Sequence, residues 1–137
     1  MKTINRKATE IFLKIVALVK ENNGHIELDN KKGLYMPLSA EKIDEVEGFE
    51  MYSLAHYKEQ NGDLMADPEM CFLLAHNEKD SIVMPYSYRN DFMRIDQIDL
   101  FIEDGKIKGI RHDAVTKNVA FANRWLKNIE LQQLKTT

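Results

Sequence analysis

His-Tyr-Lys-Glu-Gln-Asn-Gly-Asp-Leu-Met-Ala-Asp-Pro-Glu-Met, residues 56–70, gathers polar and turn-forming residues between two apolar segments. Four carboxylates (Glu59, Asp63, Asp67, Glu69), the His56 imidazole and an Asn61-Gly62 pair stand in it. That is the composition of a loop shaped to present side chains. Read as a loop, it sets a strand on either side. Met51 to Tyr57 leads in, and Pro68 biases Asp67 toward extended backbone and starts the strand Met70 to Ala75. Outward on the C-terminal side, Ser81 to Pro85 forms the next apolar run, across a polar connection at 76–80. Ile98, Leu100 and Ile102 then alternate with polar neighbours, and Asp104-Gly105 turns the chain into Lys106 to Ile110. Outward on the N-terminal side, Ile43 and Val46 precede a turn at Glu47-Gly48. Before them, His25 to Leu28 and Leu34 to Leu38 flank a polar loop at 29–33, with Pro37 confined to a strand edge or end.

The two ends of the chain change period. Ile4, Ala8, Ile11, Phe12, Ile15 and Val19 recur at steps of three and four, which predicts a helix over 4–21 closed by Asn22-Asn23-Gly24. Val115, Val119, Ala122, Leu126 and Ile129, with Phe121 and Trp125 beside them, predict a second helix over 113–134. The expected architecture is α+β: a helix, an antiparallel sheet of about seven or eight short strands, and a helix, with both helices on one face. No linker or repeat divides the chain, so one domain is expected over residues 1–137.

Composition excludes several classes. A length of 137 residues with 44% apolar and 30% charged side chains fits a folded domain with a real core. Nineteen basic against 22 acidic residues give a net charge of −3, which provides no general attraction for phosphate backbones or anionic lipid. The lone Cys71 sits in an apolar run and reads as a core thiol in a reducing compartment. Glu10 and Lys14 interrupt the N-terminal apolar residues, so neither a signal-peptide core nor a membrane span is expected and residence is assigned to the cytoplasm.

Three groups of residues could carry function. His56, Glu59, Asp63, Asp67 and Glu69 have the composition of an acid–base or hard-cation site, with Glu59, Asp63, Asp67 and Glu69 as ligands of a metal-dependent hydrolase. Their spacing does not match a helix-loop-helix calcium loop, because Met65 and Ala66 occupy the ligand and glycine positions. The structural alternative is a turn held by Asp63 and Asp67 around Asn61-Gly62, and it is preferred. The second group, Tyr86-Ser87-Tyr88-Arg89-Asn90-Asp91-Phe92, offers an aromatic and cationic contact patch. Its alternative is a strand end with Tyr88 and Phe92 packed inward and Arg89 paired to Asp91 or to a carboxylate of the 59–69 run. The third group is Trp125 with Arg124, Lys127 and Asn128. It is read as a tryptophan closing the helix on the sheet with a solvated basic side, although Arg89, Arg124 and Lys127 together could serve a nucleic acid. His25, His76 and His112 have no zinc spacing. No metal or cofactor is expected.

Four ordered signatures carry a resemblance: Tyr35-Met36-Pro37-Leu38, the run 56–70, Tyr88-Arg89-Asn90-Asp91-Phe92, and Phe121-Ala122-Asn123-Arg124-Trp125-Leu126-Lys127-Asn128-Ile129. Across most of its length the chain resembles a bacterial domain family of unknown function common on plasmids, phages and integrative elements. Lys58 and Ala66 depart from the family's pattern, which argues against either being essential. The resemblance implies a bacterial, cytoplasmic setting and supplies no catalytic residue. The sequence reading is therefore a non-enzymatic binding or regulatory domain whose partner is another protein. Its surface comprises His56, Tyr57, Glu59, Asn61, Asp63, Asp67, Glu69, Tyr86, Tyr88, Arg89 and Asp91. Dimerisation through an edge strand is a further possibility.

Overall fold

A computed structural model describes residues 2–29, 36–76 and 80–134. The first helix, α1, spans Arg6–Glu21 and starts where the Asn5 side chain accepts a hydrogen bond from the Ala8 amide at 2.9 Å. That side chain satisfies one of the amides left orphaned at a helix start. Gly24 ends the helix: it adopts φ +98°, and its amide returns to the Val19 carbonyl. Eight strands follow: β1 (His25–Leu28), β2 (Leu38–Val46), β3 (Phe49–Gln60), β4 (Asp63–His76), β5 (Ser81–Asn90), β6 (Ile95–Ile98), β7 (Leu100–Glu103) and β8 (Lys106–Ile110). The second helix, α2, spans His112–Ile129 and continues into a π-helical turn, Glu130–Leu134.

The first six strands form one antiparallel sheet in sequential order, and β7 and β8 pair separately. Alternation along the strands divides the apolar residues between the two faces. Tyr52 and Leu54 of β3 and Met70, Phe72 and Leu74 of β4 meet Ile11, Phe12, Ile15 and Val19 of α1 and Ala122, Leu126 and Ile129 of α2 in the main core. Both helices thus cover one face, as the sequence predicts. The other face carries a smaller cluster of Met51, Leu73, Met84 and Tyr86. It is covered by Leu100, Ile107 and Ile110 of the small sheet and by Val115 and Val119 at the start of α2. Cys71 packs partly buried against this second cluster, and burial pushes its thiol pKa up.

Several expected boundaries move. The run 56–70 is no loop: β3 and β4 continue through it as a hairpin, and only Asn61 and Gly62 form the turn. Asn61 and Gly62 have φ +52° and +85°, the two positive values a type I′ turn demands. Pro68 does not start a strand but lies inside one. Pairing passes from Ala55–Glu69 to Tyr57–Ala66, so His56 faces both Asp67 and Pro68 across a bulge, where a residue without an N–H fits. The second strand of the first hairpin begins at Leu38, directly after Pro37, and runs to Val46 instead of ending at Leu38. Leu34, Tyr35 and the loop positions 30–33 lie outside the described residues, as do Asn77 to Lys79 of the connection at 76–80. Ile98, Leu100 and Ile102 do not share a strand, because the chain leaves one sheet for the other at Asp99. The last helix stops being α-helical at Ile129.

Candidate functional site

The hairpin end of β3–β4 and the turn after β5 are docked together by a dense set of hydrogen bonds. The Asp91 amide donates to the Ala66 carbonyl at 3.0 Å, and the Ala66 amide donates to Asp91 Oδ2 at 2.8 Å. Asn90 Nδ2 donates to Asp67 Oδ1 at 3.0 Å, while Asn90 Oδ1 accepts from the amides of Phe92 and Met93, both at 3.1 Å. Asn90 is therefore the pivot, tying β4 to the turn and holding the turn's own backbone. The Arg89 guanidinium forks onto Asp91 through Nε at 2.9 Å and Nη2 at 3.0 Å, which with the Ala66 amide holds the Asp91 carboxyl below the usual carboxylate range. Outside this network the turn exposes its apolar side chains: Phe92 is 41% and Met93 65% accessible, and Lys58 lies over the Phe92 ring at 5.9 Å. Phe92 thus does not pack inward, because Asn90 caps the turn and lifts it off the sheet.

The residues singled out by sequence separate by strand face. Tyr57 and Glu69 share a hydrogen bond, the phenol donating to Oε2 at 2.7 Å, and burial beside that carboxylate raises the phenol pKa. Arg89 stands opposite Glu69 in the β4–β5 register. Tyr86 is buried in the cluster under the small sheet. Tyr88, alternating with Arg89, faces the helices and meets Phe121 edge-on at 5.4 Å. Glu59, Asn61 and Asp63 stand exposed at the hairpin tip, and the Asp63 side chain has no hydrogen bond or ion pair among the described residues. Asp63 therefore does not hold the turn; the Asn61-Gly62 backbone does. Among the described residues, Glu59, Asp63, Asp67 and Glu69 do not converge into a group that could hold a metal ion. Arg89 lies on the face opposite Tyr88 and α2, so it does not share a surface with the exposed Arg124 and Lys127.

His56 joins a different set. The Trp125 indole N–H donates to His56 Nδ1 at 3.1 Å, and His56 Nε2 faces Gln133 Oε1 at 3.4 Å. Gln133 Nε2 in turn donates to the Met36 carbonyl at 3.0 Å. The chain of contacts requires a neutral ring with its proton on Nε2, since a protonated Nδ1 would oppose the indole donor. Burial lowers the His56 pKa, against smaller opposing effects from Gln133 and the Asp67 charge. The sign follows: the unfolded chain takes up this proton as pH falls through about 6.5, while the folded protein resists it. Stability is expected to drop below that pH, by up to about 1.4 kcal/mol per unit. Urea melts at pH 7.5 and 5.5 should show a larger loss for the native chain than for His56→Gln. Equal losses would remove His56 from the balance.

A family model for a domain of unknown function, DUF6908, matches residues 7–135. The chain is a DUF6908 domain. The match takes in all the described strands and both helices apart from the first residue of α1. No curated protein and no solved structure matches the DUF6908 chain. No helix among the described residues is long and apolar enough to cross a membrane. Two residues central to the site escaped sequence reading. Asn90 stood inside a quoted signature with no role attached. Gln133 gave no signal, because its bonds to His56 and Met36 span 77 and 97 positions.

Proposed function

We propose that the chain works as a single, non-enzymatic, protein-binding domain in the cytoplasm, an accessory or regulatory part of a bacterial mobile element. Its contact surface is the turn after β5 with the end of the β3–β4 hairpin. One observation carries this reading: Phe92 and Met93 are exposed on a turn whose backbone is fixed by Asn90 and Asp91. An exposed aromatic and an exposed methionine, rimmed by Arg89, Lys58 and carboxylates, have the composition of an interface centre. A turn already held in place loses little conformational freedom on binding. Leu64, 64% accessible near the hairpin tip, extends the apolar area.

The test is a paired capture from the lysate of the native host, with the wild-type domain and Phe92→Ser/Met93→Ser as baits. The expected result is a protein recovered at least ten-fold less by the double variant, roughly what losing one interface anchor costs. Both baits should have the same melting temperature, because the exchanged side chains make no core contacts. Undiminished recovery by the variant sinks the reading.

A further inference from the structure

A cleft of about 310 Å³ opens where β3, β4, α2 and the π-helical turn meet. Two irregularities converge on it: the bulge that sets His56 against Asp67 and Pro68, and the π turn that carries Gln132. Both kinds of irregularity re-aim side chains, and both are frequent next to functional sites. The walls are apolar at Met36, Pro68 and the Trp125 indole.

The polar groups of the cleft are unevenly satisfied. His56 uses both ring nitrogens within the protein, on Trp125 and Gln133. Asp67 supplies the one formal charge of the lining and forms no ion pair among the described residues; its Oδ1 takes the neutral Asn90 amide, and Oδ2 keeps its lone pairs. Asn128 and Gln132, one helical turn apart, line the same cleft, and neither side chain has a hydrogen-bond partner among the described residues. The cleft therefore offers a carboxylate, two carboxamide oxygens and an aromatic wall, with no cation of its own. Its volume lies at the lower end of small-ligand pockets, about 300 to 1,000 Å³, which suits a side-chain-sized group.

A guanidinium matches that set. It is flat and cationic, forks onto a carboxylate, has further N–H donors for the two amides, and stacks on an indole. A primary ammonium has no plane to stack and concentrates its charge at one strongly hydrated point. We infer that this cleft binds an alkylguanidinium group, with Asp67 as its counter-ion, Asn128 and Gln132 as acceptors and Trp125 as its aromatic wall. The group could arrive on a small molecule or on an arginine side chain.

Trp125 is the chain's sole tryptophan, so intrinsic fluorescence reads this cleft directly. Titration with agmatine at constant ionic strength is expected to give a saturable change that Asp67→Asn weakens by at least about ten-fold. Asn128→Leu, at an exposed helix position, is the second variant should Asp67→Asn lose its melting transition, and it too should weaken the response. Cadaverine, which carries ammonium groups, should bind more weakly than agmatine, and neutral butylurea should not bind. A blocked Gly-Arg-Gly peptide separates the two sources: affinity above that of agmatine assigns a protein-borne arginine, and affinity equal to or below it a free small molecule. No saturation by about 10 mM agmatine, unchanged affinity in both variants, or an equal response to cadaverine overturns the inference. No partner protein enters this assay, so its result is independent of the Phe92–Met93 surface.

Discussion

Phe12→Ala is expected to remove about 4 kcal/mol of stability, the cost of deleting a buried ring whose surroundings collapse only in part. Phe12 projects from the middle of α1 with no accessible surface, meeting Phe72 at 5.0 Å between ring centroids and Tyr52 edge-on at 5.9 Å. The three rings join the helix to β3 and β4, the two longest strands. Small rearrangements of α1 cannot refill the space, because Ala8, Ile11 and Ile15 are themselves fully buried around it. At roughly 3 °C per kcal/mol for a domain of this size, the melting temperature should fall by more than about 10 °C. Thermal and urea denaturation of purified protein measure it. A loss under about 1 kcal/mol would mean that the aromatic trio does not anchor α1.

Asp99→Ala should cost about 3 kcal/mol, since a charged acceptor is withdrawn from donors that have no replacement. Asp99 is wholly buried, and its carboxylate accepts from Gln97 Nε2 at 2.8 Å and Asn118 Nδ2 at 3.2 Å. Its backbone is engaged as well: the amide donates to the Tyr86 carbonyl, and the carbonyl accepts from the Arg111 amide. One residue thus joins β5, the start of α2 and the passage between the two sheets. Asp99→Asn keeps one acceptor and should lose about half as much, which separates the missing hydrogen bonds from simple loss of volume. Hydrogen exchange should quicken first in β7, β8 and the first turns of α2. Equal stability of native and Asp99→Ala protein in urea would contradict this account.

The helices were legible because their apolar residues repeat at helical spacing over five turns and more, a signal that no strand imitates. The Asp104-Gly105 turn and the Glu47-Gly48 turn were legible for the same reason that they form: positive φ at both positions suits these residues. The hairpin at 56–70 misled the reading because its tip extends beyond the core, where both faces of a strand meet water and the apolar alternation that marks strands disappears. Asn61-Gly62 was the one correct sign of a hairpin there, and it was outweighed by the carboxylates around it. Asp99 was hidden in a period-two pattern, between Ile98 and Leu100, that looks like the polar side of an ordinary strand. For the candidate site, Arg89 with Asp91 was foreseen as one of two pairings, and Trp125 closing on the sheet was foreseen outright. Its partner His56 was assigned to a solvent-facing loop, since nothing local shows that position 56 lies on the same face as Leu54.

The sequential order of the six-stranded sheet bears on how the chain can assemble. Each strand pairs with its immediate successor, so every hairpin closes a short loop at small entropic cost, and the turn at 61–62 closes the longest pairing with the shortest loop. The contacts that span the molecule belong to the helices. The Asn5 amide reaches the Asn123 side chain across 118 positions, and Lys7 and Lys14 reach Glu130. A sheet of neighbours lowers the mean separation of contacts and favours fast local steps. The meeting of α1 with α2 is then the event that commits the two ends of the chain to each other.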